Sequence, residues 1–193
     1  LASNSSGTFN VAVGADALES NTTASDNVAV GYFALNQNTT GASNIAIGRG
    51  ALDANTTASN NTGVGHNALG VNTTGTQNVA VGANALDANT TANNNTAVGY
   101  ASLITNVDGL ANTALGNEAL YANSNTNNNT GLGYQSGYYT TGADNTYVGY
   151  AAGKGASGAE ASNVAVGKEA LTSISTGTRN IVIGYDKFPL VKA

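Results

Sequence analysis

Short bursts of alternating bulky and small residues recur along this chain at a fixed interval. Residues 10–18 read NVAVGADAL and residues 27–35 read NVAVGYFAL; NIAIGRGAL, NTGVGHNAL, NVAVGANAL, NTAVGYASL and NTALGNEAL follow. Counting from the first asparagine, the second residue is always β-branched, the third is usually Ala or Gly, and the fourth is always Val, Ile or Leu. That alternation predicts a short strand with two bulky side chains on one face and a small one on the other. The fifth residue is glycine in every copy: Gly14, Gly31, Gly48, Gly65, Gly82, Gly99 and Gly116 in the first seven. It marks a turn that needs positive φ or close backbone approach. Ala-Leu follows, as in Ala17-Leu18, and then Asn-Thr-Thr, as in Asn21-Thr22-Thr23.

The anchor asparagine falls at Asn10, Asn27, Asn44, Asn61, Asn78, Asn95, Asn112, Asn129, Asn145, Asn163 and Asn180. The spacing is 17 seven times, then 16, 18 and 17. A fixed period near this length is the signature of stacked repeats. Seventeen residues are too few for a strand, a helix and two turns, and suit two short strands and two turns. The expected fold is therefore all-β: a parallel β-roll or β-solenoid of about eleven 17-residue coils over residues 1–185, with 186–193 as a cap or junction. Phe188 and the single proline, Pro189, mark that change. Residues 1–9 also map onto the repeat, Leu1 onto the repeat leucine and Asn4–Gly7 onto Asn-Thr-Thr-Gly, so the array starts in mid-repeat and is expected to continue upstream.

Stacked strands sit about 4.8 Å apart, so eleven coils give a rod of about 50 Å. Identical residues then lie above one another, and asparagine ladders satisfy each other's amides. One coil offers about 5 kcal/mol of apolar burial, less than the cost of ordering its backbone, so stability has to come from stacking. The small third residue, Ala12 and its equivalents, suggests a face on which another backbone comes close, as at an oligomer axis. A monomeric solenoid with a thin core is the alternative.

NVAVGYFALNQNTTGAS and NTAVGYASL resemble the head repeats of trimeric autotransporter adhesins, and more closely the NTAVGYxALxxNTTG arrays of phage tail fibres and bacterial surface proteins. The resemblance spans roughly residues 1–185. It implies a left-handed parallel roll, three chains per fibre, an extracellular, cell-surface or virion-surface location, and a binding or spacer role without catalysis. The adhesin-head repeat is shorter than this one, so the parallel roll carries over more securely than the trimer. A self-assembling filament and an ice-binding solenoid using the Asn-Thr-Thr threonines are the other readings.

Composition narrows the partners. Only 9% of the residues are charged, and Cys, Met and Trp are absent. The net charge of -5 divides into about -7 up to residue 150 and +2 beyond it. Phosphate binding needs clustered Lys and Arg, so no nucleic-acid partner is expected. No apolar run reaches the roughly 18 to 20 residues of a membrane helix, so no membrane insertion is expected of this segment. The expected partners are further copies of the chain, and a glycan or cell-surface receptor.

Candidate chemistry is sparse, and no catalytic residue, cofactor or metal is assigned. Gly153–Gly158 spells G-x-G-x-x-G, but nucleotide binding needs a strand before it and a helix after it, and here it lies between two repeats. His66 is the only histidine and follows a repeat glycine, which reads as a solvent-facing loop position. Asp16, Glu118, Glu169 and Asp186 share one repeat offset without forming a ligand set. The tyrosines stand out. Two copies lose the repeat leucine, at Gly137 and Gly153, where the chain gains Tyr134, Tyr138, Tyr139, Tyr147 and Tyr150. These five are either a contact patch, since tyrosine is an amphipathic residue with little entropy to lose, or a repacked core.

Overall fold

The computed structural model describes residues 1–155, 161–172 and 177–185. The expected cap at 186–193, with Phe188, Pro189 and Asp186, lies outside them. The chain is a β-solenoid. Its strands are β1 (Val11–Val13), β2 (Val28–Val30), β3 (Ile45–Ile47), β4 (Thr62–Val64), β5 (Val79–Val81), β6 (Thr96–Val98), β7 (Thr113–Leu115), β8 (Thr130–Leu132), β9 (Thr146–Val148), β10 (Val164–Val166) and β11 (Ile181–Ile183). They form one sheet in chain order, each pairing in parallel with the next. The register follows the repeat residue for residue, Val11 on Val28 and Val28 on Ile45. It survives the irregular spacings too, with Thr130 on Thr146 and Val164 on Thr146.

Each coil carries one three-residue strand among the described residues, where two were expected. The Asn-Thr-Thr segment is a corner. The N–H groups of Thr22 and Thr23 both donate to the Thr39 carbonyl, and those of Thr39 and Thr40 to the Thr56 carbonyl. Two donors on one acceptor bend the chain, whereas a ladder would extend it. Three further corners per coil use left-handed residues. In the second coil these are Phe33 (φ 57°), Leu35 (φ 49°) and Ser43 (φ 58°). Non-glycine residues adopt that conformation at a cost. Inter-coil bonds offset it, such as Leu35 N–H donating to the Ala51 carbonyl.

The repeat glycine has two reasons to be glycine. Gly82 sits at φ 138°, and a Cβ there would lie 2.4 Å from the Gly99 carbonyl oxygen. The same collision awaits at Gly31, Gly48, Gly65, Gly99 and Gly116.

The core is a single file of leucines, Leu18, Leu35, Leu52, Leu69, Leu86, Leu103 and Leu120, flanked by alanines. The middle strand residue belongs to this core. Ala29, Ala46, Ala80, Ala97 and Ala114 are fully buried. The expectation that Ala12 and its equivalents form an outward, close-packing face is therefore corrected. The small residue points inward because a 17-residue coil encloses one thin layer, already filled by leucine. Even at Gly63 a Cβ would stand only 3.3 Å from Leu52 Cγ. The bulky second and fourth residues point outward instead, with Val11, Val13, Ile45, Ile47, Leu115 and Leu132 all exposed.

Two asparagine ladders run beside the core. The anchor ladder is unbroken: the backbone N–H of each asparagine from Asn27 to Asn180 donates to the side-chain oxygen of the one before it. The side-chain amides from Asn10 to Asn129, and that of Asn163, also tie down their own corners, as when Asn78 donates to the Ala92 carbonyl at 2.8 Å. The second ladder uses the Asn-Thr-Thr asparagines and is continuous from Asn4 to Asn106. Leu1 bonds to the Ala17 carbonyl and Asn4 to Asn21, so residues 1–9 occupy the half-coil that their sequence predicts.

Candidate functional site

The second ladder stops where the sequence departs from its pattern. Thr140 takes the next asparagine position, and the coil that contains it is one residue short. Asn123 turns its oxygen to Thr126. Among the described residues, Asn106 Oδ1, Asn123 Nδ2 and Thr140 Oγ1 are left buried without a partner. Buried polar atoms without partners are costly, and Tyr138 and Tyr139 directly precede Thr140 here.

The structure divides the five sequence-predicted tyrosines. Tyr147 is core. It occupies the middle strand position of β9, is fully buried, and fills the space left by two leucines. A Cβ at Gly153 would come 2.3 Å from its Cδ1, and one at Gly137 would come 2.7 Å from its Cδ2. The other four lie outside. Tyr134, Tyr139 and Tyr150 are exposed, and Tyr138 is partly exposed. The core reading thus holds for Tyr147, and the other four are surface residues.

Two aromatic columns result. Tyr134 and Tyr150 follow successive repeat glycines and stack with centroids 5.4 Å apart. Tyr121 and Tyr138 share the offset just after the repeat leucine position and stack in parallel at 4.7 Å. Tyr139 stands edge-on to Tyr138, at 75° and 4.6 Å. A polar chain crosses between the columns: Lys154 Nζ donates to Gln135 Oε1 at 2.5 Å, and Gln135 Nε2 donates to Glu118 Oε2 at 2.6 Å. The Lys154 ammonium also lies 5.9 Å from the Tyr138 ring centre, within cation–π range. Desolvation raises the Tyr138 phenol above its ordinary value, and Glu118, Tyr121, Tyr139 and Tyr134 add to the rise. The two columns and the carboxylate are thus electrostatic neighbours. Further along, Lys168 Nζ lies 5.6 Å from the Tyr150 ring centre and 5.1 Å from that of Tyr185.

Tyr121, Glu118, Gln135 and Lys154 escaped sequence reasoning as parts of this site. Aligning the coils by offset would have found them, since Tyr121, Tyr138 and Lys154 fall in one column and Glu118 and Gln135 in another, three positions earlier in the repeat.

The other candidates stand apart. His66 is exposed, with Nε2 3.3 Å from Arg49 Nη1. No group of three or more His, Cys, Asp or Glu among the described residues could hold a metal ion. Gly153 sits in the turn after β9, and residues 156–158 of the G-x-G-x-x-G match lie outside the described residues. The first threonine of the Asn-Thr-Thr corner is occupied internally, with Thr22, Thr39, Thr56 and Thr73 each donating to a carbonyl of the next coil. Compared with protein families, curated proteins and solved structures, the chain matches none.

Proposed function

We propose that this chain is a segment of an extracellular structural and adhesive fibre, built from parallel copies of itself, three to a fibre, without a catalytic role. The observation that carries this reading is the outward face of the sheet. Its two columns run through eleven strands without one charged residue, and hold only Val, Ile, Leu and Thr. Five of the twenty-two positions are threonine and the rest are aliphatic, and a mainly apolar surface patch of this kind is often functional. Its repeat is that of the chain itself, so a second copy meets it with the same residues at the same interval. Strands about 10 Å long and 4.8 Å apart give a strip of about 500 Å². A standard interface takes about 800 Å² per partner, so flanking columns contribute as well. Three copies related by a closed rotation leave no copy with a bare strip. The resemblance to trimeric adhesin and tail-fibre repeats points the same way.

Substituting Val81 and Val98 together by lysine places two charges on the strip. These side chains point away from the core, so each coil is expected to keep its fold. Sedimentation is expected to show the assembly reduced to single chains with circular dichroism unchanged. An assembly of undiminished mass would remove this face from the interface.

A further inference from the structure

We infer that the exposed surface formed by Tyr139 and the two tyrosine columns beside it, Tyr121–Tyr138 and Tyr134–Tyr150, is a binding site for a neutral oligosaccharide lying along the fibre axis. The inference gives a ligand to the adhesive part of the proposed function and uses a different face from the self-association strip.

Ring orientation comes first. Tyr121 and Tyr138 are parallel within 1°, at 4.7 Å. That distance matches the spacing of successive strands, so the two rings follow one another coil on coil. Tyr139 stands edge-on to this pair, turned 75° from Tyr138 with centroids 4.6 Å apart. It is 48% exposed. A half-exposed ring braced by its neighbour offers area to the apolar face of a sugar, and tyrosine gives that area at low entropic cost.

Charge selects the ligand class. Glu118 and Lys154 stand at the two ends of the cluster, and Gln135 bridges them by direct hydrogen bonds. The carboxylate and the ammonium cancel in net charge, and Lys168, which lies over Tyr150, is followed in the chain by Glu169. Their unused lone pairs and N–H groups, with the tyrosine hydroxyls, leave donors and acceptors side by side. A phosphate or sulfate group would need uncompensated cations, and a basic peptide would need uncompensated acids. A polyol needs neither; it matches mixed donors and acceptors flanking an aromatic surface. Nothing comparable occupies these offsets in the fifth coil, where they hold Ala83, Asn84, Asp87 and Ala88.

The fold explains the location. The corner that carries Tyr138 and Tyr139 keeps the backbone bonds of the regular coils, Ala122 N–H donating to the Tyr138 carbonyl and Tyr139 N–H to the Lys154 carbonyl, so the tyrosines stand at regular surface offsets. Tyr147 keeps the interior filled while the outer tyrosines face solvent.

The test is isothermal titration of the whole chain with maltohexaose, cellohexaose, mannohexaose and chitohexaose, for the parent and for Tyr139→Ala and Tyr139→Phe. Saturable binding to at least one neutral probe is expected. Tyr139→Ala is expected to weaken it at least tenfold with the melting temperature unchanged, while Tyr139→Phe keeps most of it. Absence of saturation by all four, or equal binding by Tyr139→Ala, overturns the inference. So does binding confined to an acidic probe such as heparin, or to a protein ligand. Native mass measured on the same sample separates a failed site from a failed fibre: a trimer without sugar binding refutes the site alone, and a monomer that binds sugar refutes the fibre alone.

Discussion

At the scale of single residues, this molecule runs on positions that tolerate one side chain each. The repeat glycine is the strictest. Gly82→Ala would impose left-handed strain and drive a methyl group into the next coil's backbone, 2.4 Å from the Gly99 carbonyl oxygen. Left-handed strain alone costs about 1 to 3 kcal/mol. A loss of more than about 2 kcal/mol is therefore expected in chemical denaturation, and a loss under about 0.5 kcal/mol would contradict the account of this turn. Asp53 and Asp87 show the opposite situation, a residue the position would prefer to exchange. Burial raises both carboxyls above 3.8, and for Asp87 the nearby His66 offsets part of the rise. The folded state then holds these protons more tightly than the unfolded state does. Their contribution is most favourable below about pH 3.8 and is lost as pH rises through the raised values. Asp87→Asn is expected to raise the melting temperature at pH 7 and to give no gain at pH 3. An equal gain at both pH values would assign the effect to something other than charge.

At the scale of the coil, packing is a matter of volume in one thin layer. Tyr147 fills the room of two leucines, so Tyr147→Ala opens a cavity and is expected to cost about 3 to 5 kcal/mol, the range for large aromatic truncations. Adding Gly153→Leu to that variant restores the repeat leucine in the same left-handed position that Leu18 and Leu35 occupy. The double variant is expected to recover part of the loss in thermal melts. A double variant less stable than Tyr147→Ala would contradict the volume exchange.

This is also where the legibility of the sequence divides. Strand positions, register and the anchor ladder follow from period and alternation, because stacking puts the same residue on itself. Two features did not follow. Alternation says that Ala29 and Val30 face opposite ways, and not which way is inward; that depends on how little space the coil encloses beside Leu35. The second strand expected in each coil is not formed at Asn-Thr-Thr, which is a bend because two threonine N–H groups share one carbonyl. The candidate site was half visible. Five tyrosines drew attention by breaking the pattern, but only burial separates Tyr147 from the others, and Glu118, Gln135 and Lys154 join them only once the coils are stacked.

At the scale of the whole molecule, the central claim is that the uncharged outward strip of β1–β11 holds copies of the chain together in a fibre. The core alone is thin, a file of single leucines between alanines, and burial of the strip between chains would add the apolar contact that one chain lacks. The most direct measurement is the native mass of the purified chain by light scattering. The account predicts about three times the chain mass of 19.1 kDa. Very large, elongated particles would replace the closed trimer with an end-to-end filament. A monomer of 19.1 kDa at micromolar concentration would contradict the claim.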